Sequence, residues 1–202
     1  ELLRRPGKLY VLASHFHPDH FNKEVLQWRE QRPDIIYIFS KDILRHRRAQ
    51  KEDAVWLKKG EEYKDETLSV RAFGSTDVGV SFLLQAGGKK IFHAGDLNNW
   101  HWMDESTEAE WKGAEKNFLH ELDDLYAYTP EVDVAMFPVD PRLGKEYMRG
   151  AGQFVTKIKT HIFVPMHFTP EYAKANAFRD FAEAHGVRFV SLTHRGQKIE
   201  IE

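Results

Sequence analysis

His15-Phe16-His17-Pro18-Asp19-His20 puts four potential metal ligands within six residues, directly after the apolar run 9–12. Imidazole nitrogens and carboxylate oxygens are donors that hold zinc, iron or manganese. In extended backbone side chains alternate, so His15, His17 and Asp19 would point one way and His20 another. Such a segment can serve two adjacent cations, one taking His15 and His17, the other Asp19 and His20. A polar surface loop is an adequate account of scattered histidines such as His46, His120 or His185. It accounts poorly for the cluster, because neighbouring imidazoles repel once protonated and gain little from each other without a cation. The 202-residue chain has no cysteine, which excludes disulfides, thiolate ligands and a cysteine nucleophile. Any metal here rests on His, Asp or Glu.

Two residues further along belong beside this cluster. Asp96 follows the strand-like run 91–94 and Gly95, a residue that lets the backbone turn close to another group. Alone it reads as an ordinary aspartate at a turn, although a carboxylate there can bridge two cations with its two oxygens. His167 stands just past the apolar run 162–166 and alone reads as a partly buried histidine among aromatics. The His15-x-His17-x-Asp19-His20 pattern after a strand resembles the HxHxDH signature of the metallo-β-lactamase superfamily of metallohydrolases. The resemblance covers most of the chain, from Leu9 onward, and the downstream order of Gly95-Asp96 and then His167 agrees with it. It implies that Asp96 bridges two metals and that His167 is the last ligand of the second. It also implies an α/β (α+β) fold, a four-layer αββα sandwich. The cofactors implied are two divalent metal ions, zinc first, with manganese or iron as alternatives.

The chain departs from that pattern in two places. The superfamily usually carries another ligand histidine before the bridging aspartate, and the segment Ala72-Phe73-Gly74-Ser75-Thr76-Asp77-Val78-Gly79-Val80-Ser81-Phe82 has none. Asp77 is the natural substitute, His93 the nearest histidine, and a weak or empty first site the third possibility. A carboxylate in place of an imidazole adds negative charge and favours harder cations. Ser75 and Thr76 are poorer ligands that can orient a water. The second departure is at the start: the superfamily opens with strands before this motif, and the expectation is that they are missing from the chain as given, which would leave a sheet edge exposed.

Two other segments are candidates for substrate contact. Asn98-Asn99-Trp100-His101-Trp102 follows the aspartate, and its tryptophans can form an apolar wall over the metals or pack on the next helix. Asp140-Pro141-Arg142 leaves another strand, with prolines stiffening the loop. Arg142 can bind a carboxylate or phosphate bidentately, or Asp140 and Arg142 can pair with neighbours or with a ligand histidine. His161 and His194 carry no comparable signal.

The elements that must position these residues alternate between two periods. Residues 9–12, 35–39, 68–73, 132–137, 162–164 and 187–190 read as strands, and 80–86 and 89–93 as a hairpin around Gly87-Gly88. Helices are expected over 23–31 with Asn22 as cap, over 107–126, and over 170–185, ended by Gly186. A mixed α/β layered domain over residues 1–202 follows. The chain is 42% hydrophobic and 30% charged, too apolar for disorder and without a run long enough to span a bilayer. Its formal charge of −2 lacks the basic footprint of phosphate-driven nucleic-acid binding. The opening seven residues have neither the apolar region nor the cleavage site of a signal peptide, and the expected compartment is the cytoplasm. The expected function is a hydrolase acting on a small ester, lactone, phosphodiester or thioester, with metal-activated water as nucleophile. His15, His17 and Asp77 would hold one cation and Asp19, His20 and His167 the other, with Asp96 between them and Asp19 also moving a proton. The alternative is a metal-binding sensor or assembly subunit without turnover, for which the missing histidine is the best support.

Overall fold

The computed structural model describes residues 2–200; Glu1, at the head of the opening segment, lies outside them. Two sheets form. A parallel three-stranded sheet has the order β1 (Tyr10–Ala13), β2 (Ile36–Ser40), β3 (Val55–Leu57). The second sheet contains β4 (Glu62–Lys64), β5 (Ser69–Phe73), β6 (Ser81–Ala86), β7 (Lys89–His93), β8 (Glu131–Pro138), β9 (Lys159–Met166) and β10 (Arg188–Phe189). Its spatial order is β10-β9-β8-β7-β6-β5-β4, antiparallel from β4 to β7 and parallel from β7 to β10. The helices are α1 (Lys41–Arg45), α2 (Glu108–Tyr128), α3 (Arg149–Lys157), α4 (Tyr172–Asn176) and α5 (Arg179–Ala184). None of the described helices is long and apolar enough to cross a membrane.

Strand alternation sorts the apolar side chains into layers. In β2, Tyr37 and Phe39 face outward, where Val25, Trp28 and Ile43 cover them, while Ile36 and Ile38 meet Val70, Val80 and Phe82 between the sheets. On the far side of the large sheet Phe92, Phe137 and Phe163 pack against Phe118 of α2 and Phe154 of α3; all five are 0% exposed. Burying each is worth about 2–3 kcal/mol. The result is the expected order of layers: helical cover, sheet, sheet, helices. A capping box closes the start of α2, with Thr107 and Glu110 satisfying each other's backbone N–H groups.

Two helices differ from their expected form. Residues Lys23–Glu30 form a 3-10 helix, capped by Asn22 as expected. Its three-residue turn stacks Val25 directly over Trp28, so that both reach the small sheet. The expected helix over 170–185 is split into α4 and α5. Around Ala177 and Phe178 the hydrogen bonds tighten to three-residue spacing, which drops Phe178 into the core at 1% exposure.

Strand direction gathers the candidate residues. β5, β7, β8 and β9 run the same way, so the segments leaving their C-terminal ends share one edge of the large sheet. Those segments begin with Gly74, Ala94, Val139 and His167. The loop after β1 joins them from the small sheet through Val80 N–H, which donates to Ser14 O at 3.0 Å. Open α/β sheets place ligands at such C-terminal edges.

Candidate metal centre

The segment from Ser14 to His20 is a series of bends and a turn, not the extended strand that alternation assumed. The N–H groups of His20 and Phe21 both donate to His17 O, at 3.0 and 2.8 Å, and this folds Asp19 and His20 back over the first two histidines. Phe16 N–H donates to the Asp42 carboxylate at 3.1 Å. Packing behind the loop is tight enough to demand glycine twice. At Gly79, φ is +76° and a Cβ would lie 2.1 Å from Ser14 O and 2.5 Å from His15 Cβ. At Gly95, φ is +56° and a Cβ would come within 2.8 Å of Ser14 Cβ and Val80 O.

Two donor groups result: His15, His17 and Asp96 in one, Asp19, His20 and His167 in the other. They meet at Asp96. Its Oδ2 lies 3.3 Å from His15 Nε2, while its Oδ1 lies 3.1 Å from His20 Nε2 and 3.4 Å from His167 Nε2. Asp19 Oδ2 is 3.5 Å from His20 Nε2. Ligands about 2.0–2.1 Å from a tetrahedral zinc stand about 3.4 Å from one another, so this spacing suits a shared cation. His15 Nε2 and Asp96 Oδ1 are buried without a hydrogen-bond partner among the described residues, although buried polar atoms rarely go unpaired. The residues present therefore fit a pair of cations. Burial alone would raise the Asp96 carboxyl, but His15 and His20 hold it well below the usual carboxylate range, so it is an anion.

Asp77 stands 3.8 Å from His17 Nδ1, on an exposed loop, and outside the first donor group. His93 is in neither group. Its Nδ1 accepts the Gly95 N–H at 3.1 Å, and burial lowers its pKa to about 4, which keeps it neutral. Thr76 latches the Asp77 loop to the loop after Asp96: its hydroxyl donates to Asn98 O and accepts from Asn98 N–H at 3.0 Å.

A cavity of about 360 Å³ opens beside the donors, lined by Asp77, Trp100, Trp102 and Arg142 along with four of the donors, His17, Asp19, Asp96 and His167. Trp100 and Trp102 stack at 16° with ring centres 6.4 Å apart. His101 turns away from the cavity, with Nε2 3.1 Å from Glu146 O. Asp140 is fully buried behind the site. Its carboxylate lies 3.0 Å from His167 Nδ1 and holds the Arg142 guanidinium through Nε and Nη2. This is the alternative weighed from the sequence, a partner to a ligand histidine; of the two, Arg142 lines the cavity.

Sequence reading passed over two supports of the site. Ser14 Oγ lies 3.0 Å from His15 Nδ1 and 3.4 Å from His20 Nδ1, leaving both Nε2 atoms to face Asp96. Only its place directly before the motif hints at this. Glu115, on α2, receives hydrogen bonds from Arg149 of α3, from Asn99 Nδ2 at 2.9 Å and from Gln153 Nε2 at 2.9 Å, and so braces the loop that follows Asp96. Nothing local in the sequence marks it. Arg149 first, with Gln153 and Asn99, outweighs burial and takes the Glu115 pKa from 4.5 to about 2. A depressed carboxylate contributes stability that is complete above pH 4.5 and is lost as pH falls toward 2, about 2–3 kcal/mol here. Glu115→Gln is therefore expected to lose stability at pH 6 and to flatten the acid decline, read as urea midpoints between pH 6 and 3. A variant with the wild-type slope would show that this carboxylate is not held down by Arg149.

The sequence matches the family described as beta-lactamase superfamily domain over residues 4–168. No curated relative matches it. Among solved structures it resembles Igni18, a metallo hydrolase from Ignicoccus hospitalis, with 18% identity, a TM-score of 0.62 and coverage of 91% of this chain and 76% of that one. Zinc-bound PqqB from Methylobacterium extorquens gives 16%, 0.53, and 90% and 70%. The diiron β-hydroxylase CmlA from Streptomyces venezuelae gives 15%, 0.60, and 93% and 44%. At these identities the likeness is one of fold.

Proposed function

This chain belongs to the beta-lactamase superfamily, and from that premise we propose that it is a metal-dependent hydrolase with a dinuclear His/Asp centre. The observation that carries the reading is the meeting of two donor groups at the two oxygens of one buried aspartate. His15, His17 and Asp96 would hold the first cation, with Asp77 closing on it; Asp96, Asp19, His20 and His167 would hold the second. Zinc suits these nitrogen and oxygen donors best, and manganese or iron follow. Bound there, divalent cations lower the pKa of water toward neutrality and polarise a carbonyl or phosphoryl oxygen.

The chain's own residues supply the rest. Asp140 and Ser14 orient the ligand histidines, and Trp100 and Arg142 bound the space for a small-molecule substrate. In hydrolysis the water oxygen bonds to the carbonyl carbon or phosphorus, the bond to the leaving oxygen or sulfur breaks with its electron pair, and that atom takes a proton. Asp19, with 67% of its side chain exposed, is free to accept the water proton and pass it on. Small esters, lactones, phosphodiesters and thioesters are the substrate classes to which this applies.

One observation favours a second reading. Asp77 lies beside His17 alone, so the first cation could be held too weakly for turnover, leaving a metal-binding sensor or assembly subunit. Metal analysis combined with a panel of generic lactone, phosphodiester and thioester substrates separates the two. Two tightly bound cations per chain with hydrolysis are expected. One cation and no turnover would favour the second reading, and no metal above background would sink both.

A further inference from the structure

Among the described residues Arg142 is the only lysine or arginine lining the cavity beside the donor groups. Asp140 holds its guanidinium along one edge, through Nε at 3.0 Å and through Nη2. Nη1 is left without a partner among the described residues, and the side chain is 52% exposed. A rigidly presented, half-used guanidinium fork is the geometry that receives an oxyanion. The same cavity has an apolar wall whose polar handle is already spent: Trp100 Nε1 donates to Asp96 O at 2.8 Å, and its ring packs edge-on against His167. Trp102 completes the wall from left-handed backbone, φ +44°, a conformation costly for a bulky residue and retained mainly where the surroundings impose it.

The charge of the site points the same way. Two divalent cations would outweigh the carboxylates of Asp19, Asp77 and Asp96. Arg142 adds a fixed positive charge to the same cavity. A loaded site with Arg142 beside it attracts anions.

We propose that the substrate carries a second oxyanion, a carboxylate or phosphate that is not itself attacked, bound by Arg142, with a flat apolar flank against Trp100 and Trp102. This rests on the hydrolytic reading above. The test uses the zinc-loaded protein and 4-nitrophenyl esters that share one aryl leaving group. One carries a succinate carboxylate, one a phosphonate in its place, and one the neutral methyl ester of the succinate. The charged esters are expected to exceed the neutral one by about tenfold or more in kcat/KM, mainly through KM. The preferred member of the charged pair identifies the oxyanion. Arg142→Gln should bring the charged-to-neutral ratio close to one with metal content unchanged, and Arg142→Lys should keep part of it. A ratio near one in the wild type, or a ratio untouched by Arg142→Gln, overturns the proposal while leaving the hydrolase in place. Failure to cut any of the esters with two cations bound overturns the hydrolytic reading for esters, and this proposal with it.

Discussion

Asp96→Ala is expected to strip the centre of both cations: metal content falls from two per chain to below one, and turnover falls by about 1,000-fold or more. The reason is geometric. Oδ2 serves the His15 side and Oδ1 serves His20 and His167, so one truncation removes a ligand from each group. Loss of a mere partner to a ligand already costs about 10- to 100-fold in metal affinity, and loss of the shared ligand itself costs more. It also takes away the buried carboxylate charge that faces His15, His20 and His167 together. Asp96→Asn is the informative companion. Its one remaining carbonyl oxygen can serve one side, so one cation should survive with weakened affinity. Elemental analysis after dialysis reads both outcomes. Two tightly held cations in Asp96→Ala would show that the two donor groups do not share this residue.

The spacing of His15, His17, Asp19 and His20 was enough to divide them into the same two pairs that the structure brings together. The division came out the same although the alternation behind it does not apply, because the turn closed on His17 O takes its place. Residue type and spacing are local and were legible; the path of the loop depends on Val80 and Asp42, far along the chain. The same limit governs the elements. Runs such as 35–39 and 132–137 became strands because apolar β-branched and aromatic residues suit a sheet buried on both faces. β4 is Glu62-Tyr63-Lys64 and exists only because β5 pairs with it. α3 was hidden by its own glycines, each costing a helix about 1 kcal/mol relative to alanine. A Cβ on Gly150 would sit 2.0 Å from Asn98 Oδ1, and one on Gly152 would sit 3.3 Å from the Phe181 ring. Gly150 answers to the loop after Asp96 and Gly152 to the Phe181 ring of α5, not to the helix, and no local pattern says so. Asp77 is the opposite case: the sequence singled it out by what was missing, and the structure sets it beside His17 without closing the group.

Asp140→Asn is expected to lower the affinity of the second cation by about 10- to 100-fold while changing the first far less. The substitution conserves volume in a fully buried position, so its effect is one of protons. Burial would raise the Asp140 carboxyl, but His167 and Arg142 outweigh it and hold the pKa down at about 2, so it is an acceptor for both at neutral pH. Accepting from His167 Nδ1–H fixes the tautomer whose bare Nε2 faces Asp96. An asparagine must give its oxygen to Arg142, which can only donate. Its amide N–H then faces His167 Nδ1, and the imidazole answers by moving its proton to Nε2. That tautomer cannot ligate, and the second group is reduced to Asp19, His20 and half of Asp96. Competition against a chromophoric chelator, titrated to two equivalents, resolves the two affinities. Asp140→Ala is the control for the tautomer: it removes the acceptor without installing a donor, so it should weaken the second cation less than Asp140→Asn does. If alanine weakens it more than asparagine does, Asp140 acts by holding Arg142 and not by setting the His167 proton.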